Sequence, residues 1–115
     1  MIYKGSCHCG RIAFEVDGDL TQVVDCNCSI CSRKGWLLWF VPEDKFRLLT
    51  PRDDLATYAF GKKAILHRFC PTCGIHPFGE RADPADHHMI AVNVRCLEGV
   101  DLSILPVIPY DGRSL

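Results

Sequence analysis

The chain has 115 residues, of which 48% are hydrophobic, and its 13 Lys and Arg residues nearly balance 14 Asp and Glu residues, giving a formal net charge of -1. This length fits one domain, and the balanced charge provides no basic face of the kind that nucleic-acid binding requires. The longest apolar stretch, residues 36–42, is far too short to span a membrane. We therefore expect no nucleic-acid or membrane partner.

Short alternating segments predict a mainly β domain. Residues 11–16 place Ile12, Phe14 and Val16 on one face, which is the period of a half-buried strand. Nine Gly and seven Pro residues separate such segments, and no linker or repeat interrupts them, so we expect a single domain over residues 1–115. Further strands are predicted at residues 23–24, 36–41, 55–60, 64–69 and 88–94, with 55–60 and 64–69 forming a hairpin around Gly61.

Clustered cysteines are the most informative feature of the chain. Seven of the eight form three tight clusters, which are Cys7 and Cys9, then Cys26, Cys28 and Cys31, and finally Cys70 and Cys73. This spacing favours metal binding over disulfides, because neighbouring cysteines can hold one ion while the backbone between them wraps it. The N-terminal segment shows no secretory signal, so we expect a cytoplasmic protein in a reducing compartment. A redox C-x-x-C motif and an iron-sulfur cluster are weaker alternatives.

Seven thiols divide into one closed site of four and one open site of three. A structural zinc has four protein ligands, whereas a catalytic zinc keeps one position for water or substrate. On an extended strand, Cys7 and Cys9 would project from the same face with His8 opposite, and the segment 69–74, F-C-P-T-C-G, is typical of a zinc knuckle. We therefore expect two zinc ions per chain, the second less tightly bound. The structural ion would be held by Cys7, Cys9, Cys70 and Cys73, and the catalytic ion by Cys26, Cys28 and Cys31.

The second site could still acquire a fourth protein ligand. The candidates are Cys96, His67, His76, His87 and His88. If the position stays open, three thiolates leave the zinc with a net negative charge, which favours a soft fourth ligand such as a substrate thiol over the activation of water. A zinc-bound thiolate beside a carbonyl group would then form or break a carbon-sulfur bond.

Four ordered segments carry a resemblance to a known family. They are G-S-C-H-C-G, C-N-C-S-I-C-S-R-K-G, F-C-P-T-C-G and N-V-R-C-L-E-G-V-D-L. Together they resemble the glutathione-dependent formaldehyde-activating enzyme family, also called the CENP-V/GFA domain. The resemblance implies an Mss4-like β fold, with the structural and catalytic zinc ions on the same two sets of cysteines. It also implies a carbon-sulfur lyase that combines formaldehyde with glutathione to give S-(hydroxymethyl)glutathione.

Two functional hypotheses follow. The first is an enzyme whose partners are a small thiol such as glutathione and a small aldehyde. The second is a non-catalytic zinc-binding interaction module, in which Trp36, Trp39 and Phe40 form an exposed docking patch. Aromatic residues of this kind belong more often to a core. An accessible fourth position on the second zinc would favour the enzyme, whereas a fourth protein ligand or an empty site would favour the module.

Overall fold

The computed structural model describes residues 1–83, 85 and 89–114 of the chain. Its strands are β1 Ile2–Ser6, β2 Ala13–Asp17, β3 Val23–Cys26, β4 Leu38–Pro42, β5 Phe46–Leu48, β6 Ala56–Tyr58, β7 Ile65–Phe69, β8 Phe78–Arg81, β9 Met89–Asn93 and β10 Val107–Tyr110. A single helical turn, α1, spans Cys31–Lys34. Short 3-10 helices span Glu43–Lys45, Arg52–Asp54, Val94–Cys96, Leu102–Ile104 and Gly112–Ser114. The expectation of a mainly β fold is confirmed.

These strands form two sheets. The smaller sheet has the order β1-β2-β5, and the larger has the order β10-β3-β4-β9-β8-β7-β6. Neighbouring strands are antiparallel, except that β10 lies parallel to β3 at the edge of the larger sheet. The radius of gyration, 13.4 Å, is that of one compact domain of this length.

The main core lies where the two sheets face each other. Phe14 and Val16 of β2 are fully buried against Phe78, Ile90 and Val92 of the larger sheet. The Phe14 ring also stacks on Phe46 of β5, with ring centroids 5.2 Å apart. The alternation seen in residues 11–16 therefore places its apolar side chains in the core, as predicted.

The other predicted strands appear with different ends: β3 is longer than predicted, β4 begins and ends later, and β6, β7 and β9 are shorter. The hairpin is confirmed, since β6 and β7 pair antiparallel and the turn between them places Gly61 and Lys63 at positive φ, 59° and 55°. His88, the first residue of one predicted strand, lies outside the described residues. Four strands, β1, β5, β8 and β10, were not predicted from the sequence.

Gly5 permits the close approach of β1 to the core. It lies opposite Phe14 in the β1-β2 pair, where a Cβ atom would collide with the Phe14 ring. We expect Gly5→Ala to lower the free energy of unfolding by roughly 1–3 kcal/mol, because the ring has no free space to move into. Urea denaturation would measure this loss. Gly79→Ala is the matched control, because a Cβ atom there would meet its nearest neighbour at 3.5 Å; equal losses for both variants would contradict the prediction.

Candidate metal centres

Two turns bring four cysteine sulfurs together. Cys7 and Cys9 lie in the turn after β1, and Cys70 and Cys73 lie in the turn after β7. All four Sγ atoms lie within 4.8 Å of one another. The Sγ of Cys9 is 3.7 Å from that of Cys7 and 3.6 Å from that of Cys70. Four sulfurs bound to a tetrahedral zinc at about 2.3 Å would lie about 3.8 Å apart, so the group fits a zinc ion.

Backbone N–H groups point at these sulfurs in both turns. Ile12 donates to the Sγ of Cys7 at 3.3 Å, and Thr72 and Cys73 donate to the Sγ of Cys70 at 3.4 and 3.5 Å. Hydrogen bonds of this kind stabilise the thiolate form. In the same way, the N–H groups of Ile75 and Cys9 lower the pKa of Cys73 to about 6. The group is therefore suited to hold a cation.

One expectation about this site needs correction. The extended strand predicted for Cys7 and Cys9 is wrong, because β1 ends at Ser6 and the two cysteines lie in a tight turn. Gly10, at φ 84°, completes that turn. His8 is exposed and does not belong to the group of sulfurs, in line with its expected exclusion as a ligand.

A second group contains three sulfurs from one short segment. Cys26 ends β3, Cys28 lies in the following loop, and Cys31 begins α1. Their Sγ atoms lie within 4.8 Å of one another, and among the described residues no fourth His, Cys, Asp or Glu joins them. The backbone N–H of Cys31 donates to the Sγ of Cys28 at 3.4 Å. We call this group the three-cysteine site.

Three of the candidates for a fourth ligand lie among the described residues, and none of them joins the three-cysteine site. Cys96 packs against the main core and belongs to neither group of sulfurs, and burial raises its pKa to about 11. His76 lines a separate cavity. His67 lines the cavity in front of the three-cysteine site without joining it. The remaining two candidates, His87 and His88, lie outside the described residues.

The surroundings of Cys31 disfavour the ionisation of its thiol. Burial raises the pKa of Cys31 to about 12, and Cys28 and Cys26 act in the same direction. The indole N–H of Trp36, which has no other hydrogen-bond partner among the described residues, opposes this rise. A cation is needed to keep three thiolates at this separation, and three soft sulfur ligands suit zinc. All eight cysteines lie in the described part of the chain and all are free thiols, which agrees with the expected preference for metal over disulfides.

The C-terminal segment covers one side of the three-cysteine site. Tyr110 is in register with Cys26, and its carbonyl accepts from the backbone N–H of Asn27 at 3.1 Å. The Asn27 side chain donates to Asp111 and accepts from the backbone N–H of Arg113, both at 2.9 Å. A further close contact involves Gly112, where a Cβ atom would lie 2.7 Å from the Sγ of Cys26. This contact between distant segments had no signal in the sequence.

A cavity of about 370 Å³ opens beside the three-cysteine site; we call it the apolar cavity. Besides the three cysteines, its wall includes Trp36, Leu38, Phe40, Phe60, His67 and Tyr110. A neighbouring cavity of about 600 Å³ shares Trp36 and Ile30 with it and is lined by Arg33, Lys34, His76 and Asn93; we call it the polar cavity. The apolar cavity gives the three cysteines an open approach.

Lys34 connects the two cavities. Its Nζ atom lies 3.0 Å from Nδ1 of His67 and 3.6 Å from the centroid of the Trp36 ring. Burial lowers the pKa of His67 to about 4 and that of Lys34 to about 8. His67 is therefore neutral near pH 7. Because the Lys34 ammonium group can only donate, Nδ1 of His67 accepts and the imidazole proton lies on Nε2.

The three aromatic residues of the alternative hypothesis do not form one patch. Trp36 is buried, and Trp39 packs edge-on against Tyr3 with ring centroids 5.5 Å apart. Phe40 is 47% exposed and points to the opposite face of β4 from Trp39, because successive side chains of a strand alternate. These three residues therefore do not form the exposed docking patch of the alternative hypothesis. A separate question is membrane insertion. None of the helices in the described part of the chain has the length and apolar character needed to cross a bilayer.

Comparison with known proteins supports the same fold. The family model described as glutathione-dependent formaldehyde-activating enzyme matches residues 2–107. A crystal structure of a Rhodobacter sphaeroides protein is similar, with a TM-score of 0.79 and 33% sequence identity over 92% of this chain and 97% of that chain. The expected Mss4-like fold is confirmed. The chain belongs to the glutathione-dependent formaldehyde-activating enzyme family.

Proposed function

We propose that the protein is a zinc-dependent carbon-sulfur lyase that acts on a small thiol and formaldehyde, or on a related carbon-sulfur adduct. The observation that carries this proposal is the three-cysteine site. It has no fourth protein ligand among the described residues, and a cavity opens directly beside it. A purely structural zinc site would have a complete set of four protein ligands.

The two groups of cysteines would have different roles. Cys7, Cys9, Cys70 and Cys73 would hold a structural zinc, and Cys26, Cys28 and Cys31 would hold the catalytic one. A zinc bound at the three-cysteine site would lower the pKa of an incoming thiol, so that the thiol is a nucleophilic thiolate at neutral pH. Membership of the family supports glutathione and an aldehyde as the reactants.

The side chains around the cavity can meet the proton requirement of this reaction. When a thiolate adds to formaldehyde, the carbon-sulfur bond forms, the carbonyl electron pair moves to oxygen, and that oxygen must gain a proton. His67 lines the cavity and carries a proton on Nε2, while Lys34 contacts its other ring nitrogen. Nε2 of His67 can give its proton to the oxygen while Nδ1 takes one from the Lys34 ammonium, and the reverse reaction returns both protons.

Replacement of zinc by cobalt would test the proposal. Thiolate-to-cobalt absorption reports the number of sulfurs bound, so we expect an added small thiol to increase this absorption in the wild-type protein. The increase should be absent in Cys28→Ala, which removes one of the three sulfurs. Product formation should then be measured above the spontaneous reaction of thiols with formaldehyde.

One outcome of the cobalt experiment would contradict the enzyme proposal. If the second site is shown to contain cobalt and no thiol tested changes the absorption, the enzyme proposal fails. The non-catalytic zinc-binding module would then be the better description of the protein.

A further inference from the structure

We propose that the thiol accepted at the three-cysteine site carries an apolar body, such as an alkyl or aryl group, and that the apolar cavity binds this body. The inference rests on the proposed function and narrows its substrate class. Cys26, Cys28 and Cys31 are part of the wall of the apolar cavity. A thiol bound close to these sulfurs therefore has its organic group at the cavity.

The chemistry of the wall favours an uncharged ligand. No Asp, Glu, Lys or Arg of the described residues lines the apolar cavity. Its non-cysteine polar groups are His67 and Tyr110, and burial keeps His67 neutral near pH 7. A carboxylate placed here would lose water without gaining a charged partner, which is strongly unfavourable. Glutathione carries two carboxylates and an ammonium group, so it matches this wall poorly.

The nearby cations are already engaged on the other side of Trp36. Arg33 donates from Nη1 to the carbonyl of Ser29 at 2.7 Å, and Lys34 contacts both His67 and the Trp36 ring. Both cations line the polar cavity and not the apolar one. A negatively charged thiol would have to reach across the shared wall to meet them.

Exposed side chains at the apolar cavity provide the driving force. Phe40 is 47% exposed and Tyr110 is 49% exposed, and Phe60 and Ile65 are also exposed. Covering such side chains with an apolar ligand removes hydrocarbon surface from water, which favours binding. The cavity volume, about 370 Å³, lies near the lower end of the range for small-molecule sites and suits a small organic group.

The test compares thiols on the cobalt-substituted protein. The probes are 2-phenylethanethiol, 3-mercaptopropionate and glutathione, each titrated while the thiolate-to-cobalt absorption is recorded. We expect half-saturation by 2-phenylethanethiol at a concentration at least about tenfold lower than that of either charged thiol, because only the aryl group fits the cavity wall without an unpaired charge.

Matched variants locate the effect in the cavity. Phe40→Asp places a carboxylate at the cavity wall and should raise the half-saturating concentration of 2-phenylethanethiol by about tenfold or more. Leu49→Asp is the control, because Leu49 is equally exposed, at 47%, and does not line the cavity. Both variants should keep the cobalt absorption of the unliganded protein, which shows that the metal sites are intact.

The possible failures are distinguishable. If glutathione binds more tightly than 2-phenylethanethiol, or if Phe40→Asp has no effect, the apolar substrate class is wrong while the proposed enzyme stands. Tight glutathione binding would instead point to the polar cavity with Arg33 and Lys34. If no thiol changes the absorption of the loaded site, the proposed function itself fails, and this inference fails with it.

Discussion

Cys70→Ala should unfold the domain or sharply lower its melting temperature, whereas Cys28→Ala should leave it folded without its second metal. Cys70 is fully buried, and its sulfur meets that of Cys9 across 61 positions of sequence. The three-cysteine site joins only neighbouring residues. Structural zinc contributes about 10–16 kcal/mol in peptides, which is comparable with the whole stability of a domain, about 5–15 kcal/mol.

Thermal melts followed by circular dichroism, together with metal content per chain, would measure both effects. Cys96→Ala is the control for the simple loss of a partly buried thiol, because Cys96 belongs to neither group of sulfurs. Its cost should stay near the usual value for a single substitution, roughly 1 kcal/mol. Equal losses of stability in Cys70→Ala and Cys28→Ala would reverse the assignment of structural and catalytic sites.

Chelation should remove the two metals in separate steps. Four thiolates in a closed group hold zinc more tightly than three, and a closed group leaves no position for a competing ligand. A mild chelator should therefore take one equivalent while the fold survives. A strong chelator should take the second equivalent and unfold the chain.

A metal-release indicator read in parallel with circular dichroism would separate these steps. In Cys28→Ala the first step should be missing and the second unchanged, because the substitution affects only the three-cysteine site. Release of both equivalents together with unfolding would contradict the assignment of one structural and one catalytic zinc site.

The alternating apolar face of β2 made this strand predictable from the sequence, whereas β5 and β10 carry no such signal. β2 buries Phe14 and Val16 and was found by its period. In β10 every residue is exposed, and its place is set by parallel pairing with β3 and by the bonds to Asn27. No local pattern announces such a strand. β5, with three residues, is too short to show a period.

β8 was missed for a different reason. Its sequence, F-G-E-R, contains Glu80, which a sequence analysis assigns to the surface, yet Glu80 is 7% exposed. Arg68 and Arg52 make this burial possible, since their guanidinium groups lie 2.9 and 3.1 Å from its carboxylate. These ion pairs with β7 and with the 3-10 helix at Arg52 compensate the loss of water, and they involve residues that only the fold brings together.

For the candidate site, the groups of cysteines could be predicted from the sequence, and the residues around them could not. The membership of the three-cysteine site could be predicted because its cysteines are two or three positions apart, and the four-cysteine group followed because the two remaining pairs complete a set of four. The surroundings could not. The Lys34–His67 contact and the Asn27–Asp111 hydrogen bond join residues 33 and 84 positions apart. Whether zinc occupies the two groups remains a prediction.

The separation of the cysteine pairs also has a consequence for the chain during synthesis. At roughly 5–20 residues per second, the 61 positions between Cys9 and Cys70 take about 3 to 12 s to translate. The three-cysteine site is complete well before Cys70 emerges. In that interval Cys7 and Cys9 have no native partners and are open to oxidation or to sharing a metal with the wrong thiols. The order of the chain thus completes the three-cysteine site before the four-cysteine group.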